Sequence, residues 1–309
     1  MIYTLTLNPA IDKTVTIESF ETGTVNRIQT VRTDIGGKGI NVSKCLMQLG
    51  CESTAAAFWG GTPGMRGVKF LEQQGIGVLT VQVDEDTRTN LKVIDPTLGK
   101  NTDINEPGPE ITQEKLQELL AKLDETILPG DTLLLSGSIP RGIAPTIYRD
   151  LIARYQQKGA KVWLDADGES FREGVKAAPT LIKPNIDELD RLMGHPHPDV
   201  QSLIESAGVL LGMGIREVVI SLGGDGALFV KDGWCCKAEG LKVPVLSTVG
   251  AGDSMVAALA YGEQAGLSDE QRLKLAIAIS AASVVCSGSQ APELETIERL
   301  YHEVRTTVL

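Results

Sequence analysis

The sequence predicts an α/β protein: a mostly parallel central sheet with helices on both faces, and a small β-sheet beside it. Three observations carry this expectation. Short, continuous apolar runs recur along the chain, amphipathic helical patterns separate them, and two stretches with no helical pattern alternate apolar and polar residues.

The apolar runs place strands at 2–8 (IYTLTLN), 53–59 (STAAAFW), 132–137 (TLLLSG), 161–166 (KVWLDA), 180–184 (TLIKP) and 217–223 (EVVISLG). Strands without a polar face are buried on both sides, as in a parallel sheet covered by helices. Helical patterns lie at 112–126 and 145–159, the second closed by Gly159. The stretch RLKLAIAISAASVVC (272–286) is apolar almost all round, which predicts a buried helix. The two exceptions, 13–35 and 87–106, read as half-exposed antiparallel strands with Gly or Pro at the turns. Together they predict a small sheet standing off the body at a strand-end cleft, placed to act as a lid. One domain with this lid would span all 309 residues.

The net charge of −11 argues against nucleic acid and anionic membrane as main partners. The five cysteines are an odd number without metal-ligand spacing, and the adjacent Cys235–Cys236 pair is expected to stay as thiols, which suits a reducing cytoplasm. MIYTLTLNPAIDKTV has no basic n-region followed by a long apolar run, so no signal peptide is expected. No run approaches the ~20 apolar residues of a membrane helix.

Several short stretches are candidates for chemistry. TVGAGDSMVAALAYG (248–262) sets two glycines and an acid where a small-residue helix begins. A helix start suits an anion such as phosphate, yet Asp253 would repel one. The Walker-type loop is absent, since its first glycine falls on Arg32 and Gly39 replaces its Ser or Thr. The dinucleotide fingerprint fails at Met255. DIGGKGIN (34–41), ahead of a helix over 41–49, reads either as a close backbone approach to a ligand, with Lys38 and Asn41 pointing in, or as a tight turn with a solvated lysine. LTLNPAID (5–12) ends a strand with Asn8 and Asp12, for sugar hydroxyls or for a turn. In KPNIDEL, Asn185 and Glu188 fit a capping box or a polar pair around Mg²⁺ and its waters. SLGGDGA (221–227) is a hairpin turn or a loop carrying Ser221 and Gly223 to a nucleotide. His195, His197 and His302 are expected on the surface.

GGKGIN early, KPN in the middle and STVGAGDSM late together resemble the ribokinase-like (PfkB-type) carbohydrate kinases, over the whole chain. TLTLNPAID, GGKGINVSK, TRTNLKV, SGSIPRG and YGEQ are similar to the 1-phosphofructokinase and tagatose-6-phosphate kinase branch. The resemblance implies a ribokinase-like fold and ATP-dependent phosphorylation of a phosphorylated ketohexose, fructose 1-phosphate first, with tagatose 6-phosphate or fructose 6-phosphate as alternatives. A sensor that kept the fold without the chemistry is the rival from another class.

The same resemblance implies residue roles. Asp253 would be the base, with Gly250, Ala251 and Gly252 offering N–H groups to the transferring phosphoryl group. Asp12, Gly37, Asn41 and Ser138 would bind the sugar. Lys38 and Arg88, with Arg27, would hold its existing phosphate, Arg88 reaching in from the lid. Lys183, Asn185, Ser221, Gly223, Gly226 and Thr248 would line the ATP side, with SAASVVCSGS (280–289) loosely assigned to the adenine. Glu188 and Asn185 would organise Mg²⁺ through water. A monovalent cation and a homodimer joined through the lid complete the expectations.

Overall fold

The structure, a computed structural model, describes residues 1–286 and 292–309. The chain opens with β1 (Ile2–Thr6), β2 (Ala10–Thr16), β3 (Thr30–Gly36) and α1 (Lys38–Gln48). Next come β4 (Ser53–Gly60), α2 (Gly61–Gln73), β5 (Gly77–Val83), and the hairpin β6 (Arg88–Asp95) and β7 (Lys100–Asn105). Alternation then runs through α3 (Gln113–Thr126), β8 (Thr132–Ser136), α4 (Ile147–Gln157), β9 (Lys161–Asp165), α5 (Gly168–Val175) and β10 (Leu181–Ile182). The helix pair α6 (Ile186–Met193) and α7 (Val200–Gly212) leads to β11 (Glu217–Ser221) and the hairpin β12 (Gly226–Lys231) and β13 (Trp234–Glu239). Helices α8 (Ala251–Gln264), α9 (Asp269–Val284) and α10 (Leu294–Glu303) precede β14 (Thr306–Val308).

A ten-stranded sheet, ordered β14-β13-β12-β11-β10-β9-β8-β1-β4-β5, forms the body. From β11 to β5 every pairing is parallel, and all six expected strands lie in this run. The antiparallel extension β12-β13-β14 and the edge strand β5 go beyond the strands read from sequence.

Alternate side chains of each central strand enter opposite cores. Leu133 and Leu135 of β8 face α3, α4 and α5, whereas Leu134 faces α8 and α9. Each such fully buried apolar side chain contributes roughly 1.5–3 kcal/mol. Helix α9 covers the expected apolar stretch and is buried on most sides. Cys235 and Cys236 are neighbours on β13 and point into different cores, so both remain free thiols. Among the described residues no helix is long and apolar enough to cross a membrane.

The two irregular stretches form the expected separate sheet, four strands in the order β3-β2-β6-β7. Its topology differs from an all-antiparallel reading, because β2 and β6 pair in parallel. Each leaves the same end of the main sheet, after β1 and β5, and each returns by its own hairpin, so the two outgoing strands run together. The sheet also starts earlier than residue 13. Asp12 belongs to β2 and not to the end of β1.

Candidate active site

The carboxyl ends of the parallel strands open beneath the small sheet, and α8 begins there. Its N-cap is Gly250, at φ 81°, a left-handed conformation that glycine adopts at little cost. Ala251, Gly252 and Asp253 form the first turn, whose N–H groups have no partner one turn earlier in the helix. Asp253 is 7% exposed. One of its carboxylate oxygens accepts a 2.8 Å hydrogen bond from Asn41 Nδ2 on α1. Burial and the nearby Asp165 charge push its pKa up to about 6, against the hydrogen bond from Asn41 and the charges of Lys38 and Lys183.

Asp165, at the end of β9, is the residue that sequence reasoning missed. It is 4% exposed, with Lys183 Nζ at 3.3 Å and Lys38 Nζ at 3.6 Å from the same carboxylate oxygen. Burial by itself would raise its pKa, but the two ammonium groups outweigh that and hold it below the usual carboxylate range. A signal was available: KVWLDADG puts an acid where an apolar strand ends, the position at which open α/β sheets bind ligands. Lys183 also lies against the start of α8, since a methyl group on Gly252 would stand 3.3 Å from its Nζ.

The GGKGIN turn is a close approach of backbones. Gly37 has φ 115° and caps α1, which begins at Lys38 rather than at 41. Gly39 falls in the first turn, where a Cβ would press on Thr6 Oγ1 (2.5 Å) and Leu5 O (3.2 Å) of β1. Lys38 therefore reaches over the ends of β8 and β9. The charges acting on its ammonium are Asp165 first, then Asp253, Glu188 and Asp167, and Asp165 drives its pKa upward. Those acting on Arg88 are Asp12 and Glu106. Two cations expected to share one phosphate thus stand in different charge neighbourhoods.

The small sheet presents polar rows to the cleft. Asp34, Asp12, Asn90 and Asn105 are in register across its strands. Asn90 Nδ2 donates to Asp12 at 2.9 Å, and burial raises the Asp12 pKa. A cavity of about 200 Å³ lies between this face and Val249. Arg88 starts β6 and donates to the carbonyls of Asn8 (3.1 Å) and Glu106 (3.3 Å). Arg27 is exposed in the β2–β3 loop, beyond the last ladder pair, Thr16–Thr30. Ser138 is exposed in the loop after β8.

In KPNIDEL the capping reading is the one the geometry shows. The capping box is present: Glu188 N donates to Asn185 Oδ1 (2.8 Å) and Asn185 N to Glu188 Oε2 (2.9 Å). Ser221 N donates to Pro184 O (3.0 Å), which brings the two loops side by side. SLGGDGA turns the β11–β12 hairpin through a 3₁₀ turn, Gly223–Asp225. Gly223 is exposed there, whereas Gly226 is buried and has no room for a Cβ beside the Ala238 carbonyl of β13. Thr248 precedes the α8 turn, its carbonyl 3.4 Å from Ala251 N. Of the loosely assigned 280–289 segment, residues 287–289 lie outside the described residues.

His197 is a correction to the surface reading. It is buried, bonded to Asp190 Oδ1 and Ser206 Oγ, both at 2.6 Å, and pins the loop between α6 and α7. The Asp-His-Ser order is not a nucleophile site, because Ser206 is itself 4% exposed.

The family model for pfkB family carbohydrate kinases matches residues 5–297. The chain belongs to this family. It is 35% identical to 1-phosphofructokinase of Haemophilus influenzae, over 100% of this chain and 98% of the relative. Phosphofructokinase-2 from Escherichia coli, solved with substrates and products, superposes with a TM-score of 0.93 at 29% identity, covering 98% of both chains. The same enzyme solved with potassium gives a TM-score of 0.92 at 28% identity and 98% coverage of both. The chain is accordingly a phosphotransferase acting on a sugar hydroxyl.

Proposed function

We propose that this kinase transfers the γ-phosphoryl group of ATP to fructose 1-phosphate, giving fructose 1,6-bisphosphate and ADP. The observation that carries the reading is Asp253: a buried carboxylate in the first turn of α8, raised to a pKa of about 6 and oriented by Asn41. A general base poised near neutrality suits removal of a proton from a sugar hydroxyl. The hydroxyl oxygen attacks the γ-phosphorus, its proton passes to Asp253, and the bond to the ADP oxygen breaks. The opening N–H groups of α8 stabilise the equatorial oxygens, which resolves the apparent conflict of placing an acid at a phosphate site.

The small sheet acts as the lid, with Asp12 and Asn90 for sugar hydroxyls and Arg88 for the phosphate that the sugar already carries. Lys38, held on Asp165 and near Glu188, serves the transferring phosphoryl group together with Lys183. Gly37 and Ser138 complete the sugar side, and Ser221, Gly223 and Thr248 the nucleotide side. Mg²⁺ fits the donors available. Asp165 Oδ1 is ion-paired with Lys183 and Lys38, which leaves its buried Oδ2 without a hydrogen bond; Glu188 keeps one oxygen outside the cap, and among the described residues no acidic or histidine cluster forms a full cage. Such an ion would keep several waters and bind mainly through nucleotide phosphates, whose charge it neutralises. Asn185, spent in the cap, orients Glu188. Potassium is the monovalent cation to test as an activator.

ADP release measured across fructose 1-phosphate, tagatose 6-phosphate and fructose 6-phosphate tests the substrate. Fructose 1-phosphate is expected to have the highest kcat/KM. A tenfold preference for either other sugar would overturn the assignment, and no turnover of any would favour a sensor.

We also infer a homodimer joined through the lids, in a reducing cytoplasm that keeps the cysteines as thiols. The outer lid face carries exposed Val31 and Ile104, with open edges at β3 and β7, features that a partner subunit would cover. Light scattering at micromolar concentration should give twice the chain mass of 33.0 kDa. A purely monomeric species would refute it.

A further inference from the structure

Arg141 stands three residues beyond Ser138 in the same loop and has been given no role above. Its guanidinium donates from Nη2 to Glu85 Oε2 at 2.8 Å. It also donates to Gly108 O from Nη2 (3.1 Å) and Nε (3.3 Å). The Arg141 carbonyl accepts from Ile111 N at 2.9 Å, and Glu85 Oε2 accepts a second bond from Glu110 N at 3.1 Å. One side chain thus ties together the segment entering β6, the segment leaving β7, and the loop after β8 that carries Ser138.

The tied segment also holds Arg88. Glu106 O accepts from Arg88 Nη1. Pro107 O accepts from Asn8 Nδ2 at 3.1 Å, and Asn8 O accepts in turn from Arg88 Nη2. Gly108 packs against the stem of the same arginine, where an added Cβ would lie 3.3 Å from Arg88 Cδ. Arg88 is therefore aimed by residues 106–108, and Arg141 grips the end of that segment by its Gly108 carbonyl.

We propose that Arg141 is a positioning residue for sugar-phosphate recognition, acting through Gly108 on the direction of Arg88 and linking the lid roots to the Ser138 loop. A stability role explains it poorly. The Arg141–Glu85 pair is about half exposed on both sides (51% and 53%), and such pairs contribute little to folding. The planar fork is what the site uses, since one guanidinium bonds a carboxylate and a carbonyl at once. The proposal rests on Arg88 binding the phosphate of the substrate.

The test is steady-state kinetics of the full-length Arg141→Ala, Arg88→Ala and double variants, with fructose 1-phosphate and ATP varied separately. Arg141→Ala should raise the KM for fructose 1-phosphate by roughly three- to tenfold, the effect of weakening one hydrogen bond, with kcat and the ATP KM nearly unchanged. In the Arg88→Ala background the second substitution should add nothing, because the group it aims is gone. Arg141→Lys keeps the charge but not the fork and should behave like the alanine variant. If Arg88→Ala raises the sugar-phosphate KM and Arg141→Ala does not, the positioning role is wrong while the lid reading stands. An Arg141 effect that persists undiminished without Arg88, or full retention by Arg141→Lys, would equally overturn it. An unchanged KM in Arg88→Ala would instead sink the reading on which it rests.

Discussion

Strands β8 and β6 stand for the two halves of the molecule. All five residues of β8 are buried, between cores on either face, whereas β6 is half-exposed along most of its length and ends beside an exposed β7. The groups proposed for phosphoryl transfer hang from the buried half: Asp165 at the end of β9, Lys183 after β10, and Asp253 on a helix packed against α9. The groups proposed to face the sugar hang from the exposed half. A buried frame holds charges at fixed separation and shifts their pKa values, whereas the small sheet has only a small core of its own, around Val15, Ile17 and Val93. Under the proposed function, bond transfer falls to the main sheet and selection of the acceptor to the small one.

The largest effect should follow from Asp253→Asn, which keeps size and hydrogen bonding but deletes the base. We expect kcat to fall by roughly 10²–10⁴, while calorimetric affinities for ATP and fructose 1-phosphate persist. A variant that keeps more than about a tenth of the wild-type kcat, against that expected loss, would make α8 a mere scaffold and dissolve the division between the sheets.

Lys38→Met comes next and sharpens the boundary. Since its ammonium sits on Asp165 in the buried half, kcat should drop by roughly ten- to a hundredfold, the effect of one lost charge contact in the transition state, with little change in the sugar-phosphate KM. The reverse split, a raised KM at near-normal kcat, would return Lys38 to the phosphate of the substrate and to the half that selects.

The smallest effect is one of pH. Asp253 must be ionised to accept a proton, and burial raises its pKa to about 6. Activity should be level above that value and decline as pH falls through it, by about tenfold for each further unit. A kcat/KM profile flat down to pH 4.5, well below that free-enzyme pKa, would remove Asp253 from the proton transfer.

Much of this was legible in the sequence for local reasons. Continuous apolar runs admit only a buried strand or helix, and alternation with amphipathic helices leaves a covered parallel sheet. The small sheet was legible from alternation, but not the parallel pairing of β2 with β6, which depends on where two distant strands leave the body. His197 was misjudged because polarity and a Pro-rich setting speak of surface, and only the fold supplied Asp190 and Ser206 to satisfy both ring nitrogens. Asp165 lies within the strand read at 161–166, and only the fold brought Lys38 and Lys183 to its carboxylate.

By itself the sequence determined which residues could bear chemistry: the αL glycine and acid opening α8, the glycine turn before α1, and the capping pair of α6. These are local features, set by φ angles, helix-end hydrogen bonds and spacing within a few residues. Which of the charges meet was decided only by the tertiary structure. Lys38, Asp165, Lys183 and Asp253 come from four separate segments, and Coulomb interactions depend on distance in space rather than along the chain. The same holds for the grip of Arg141 on the segments that enter and leave the small sheet, because it follows from the path of strands whose order no local signal encodes.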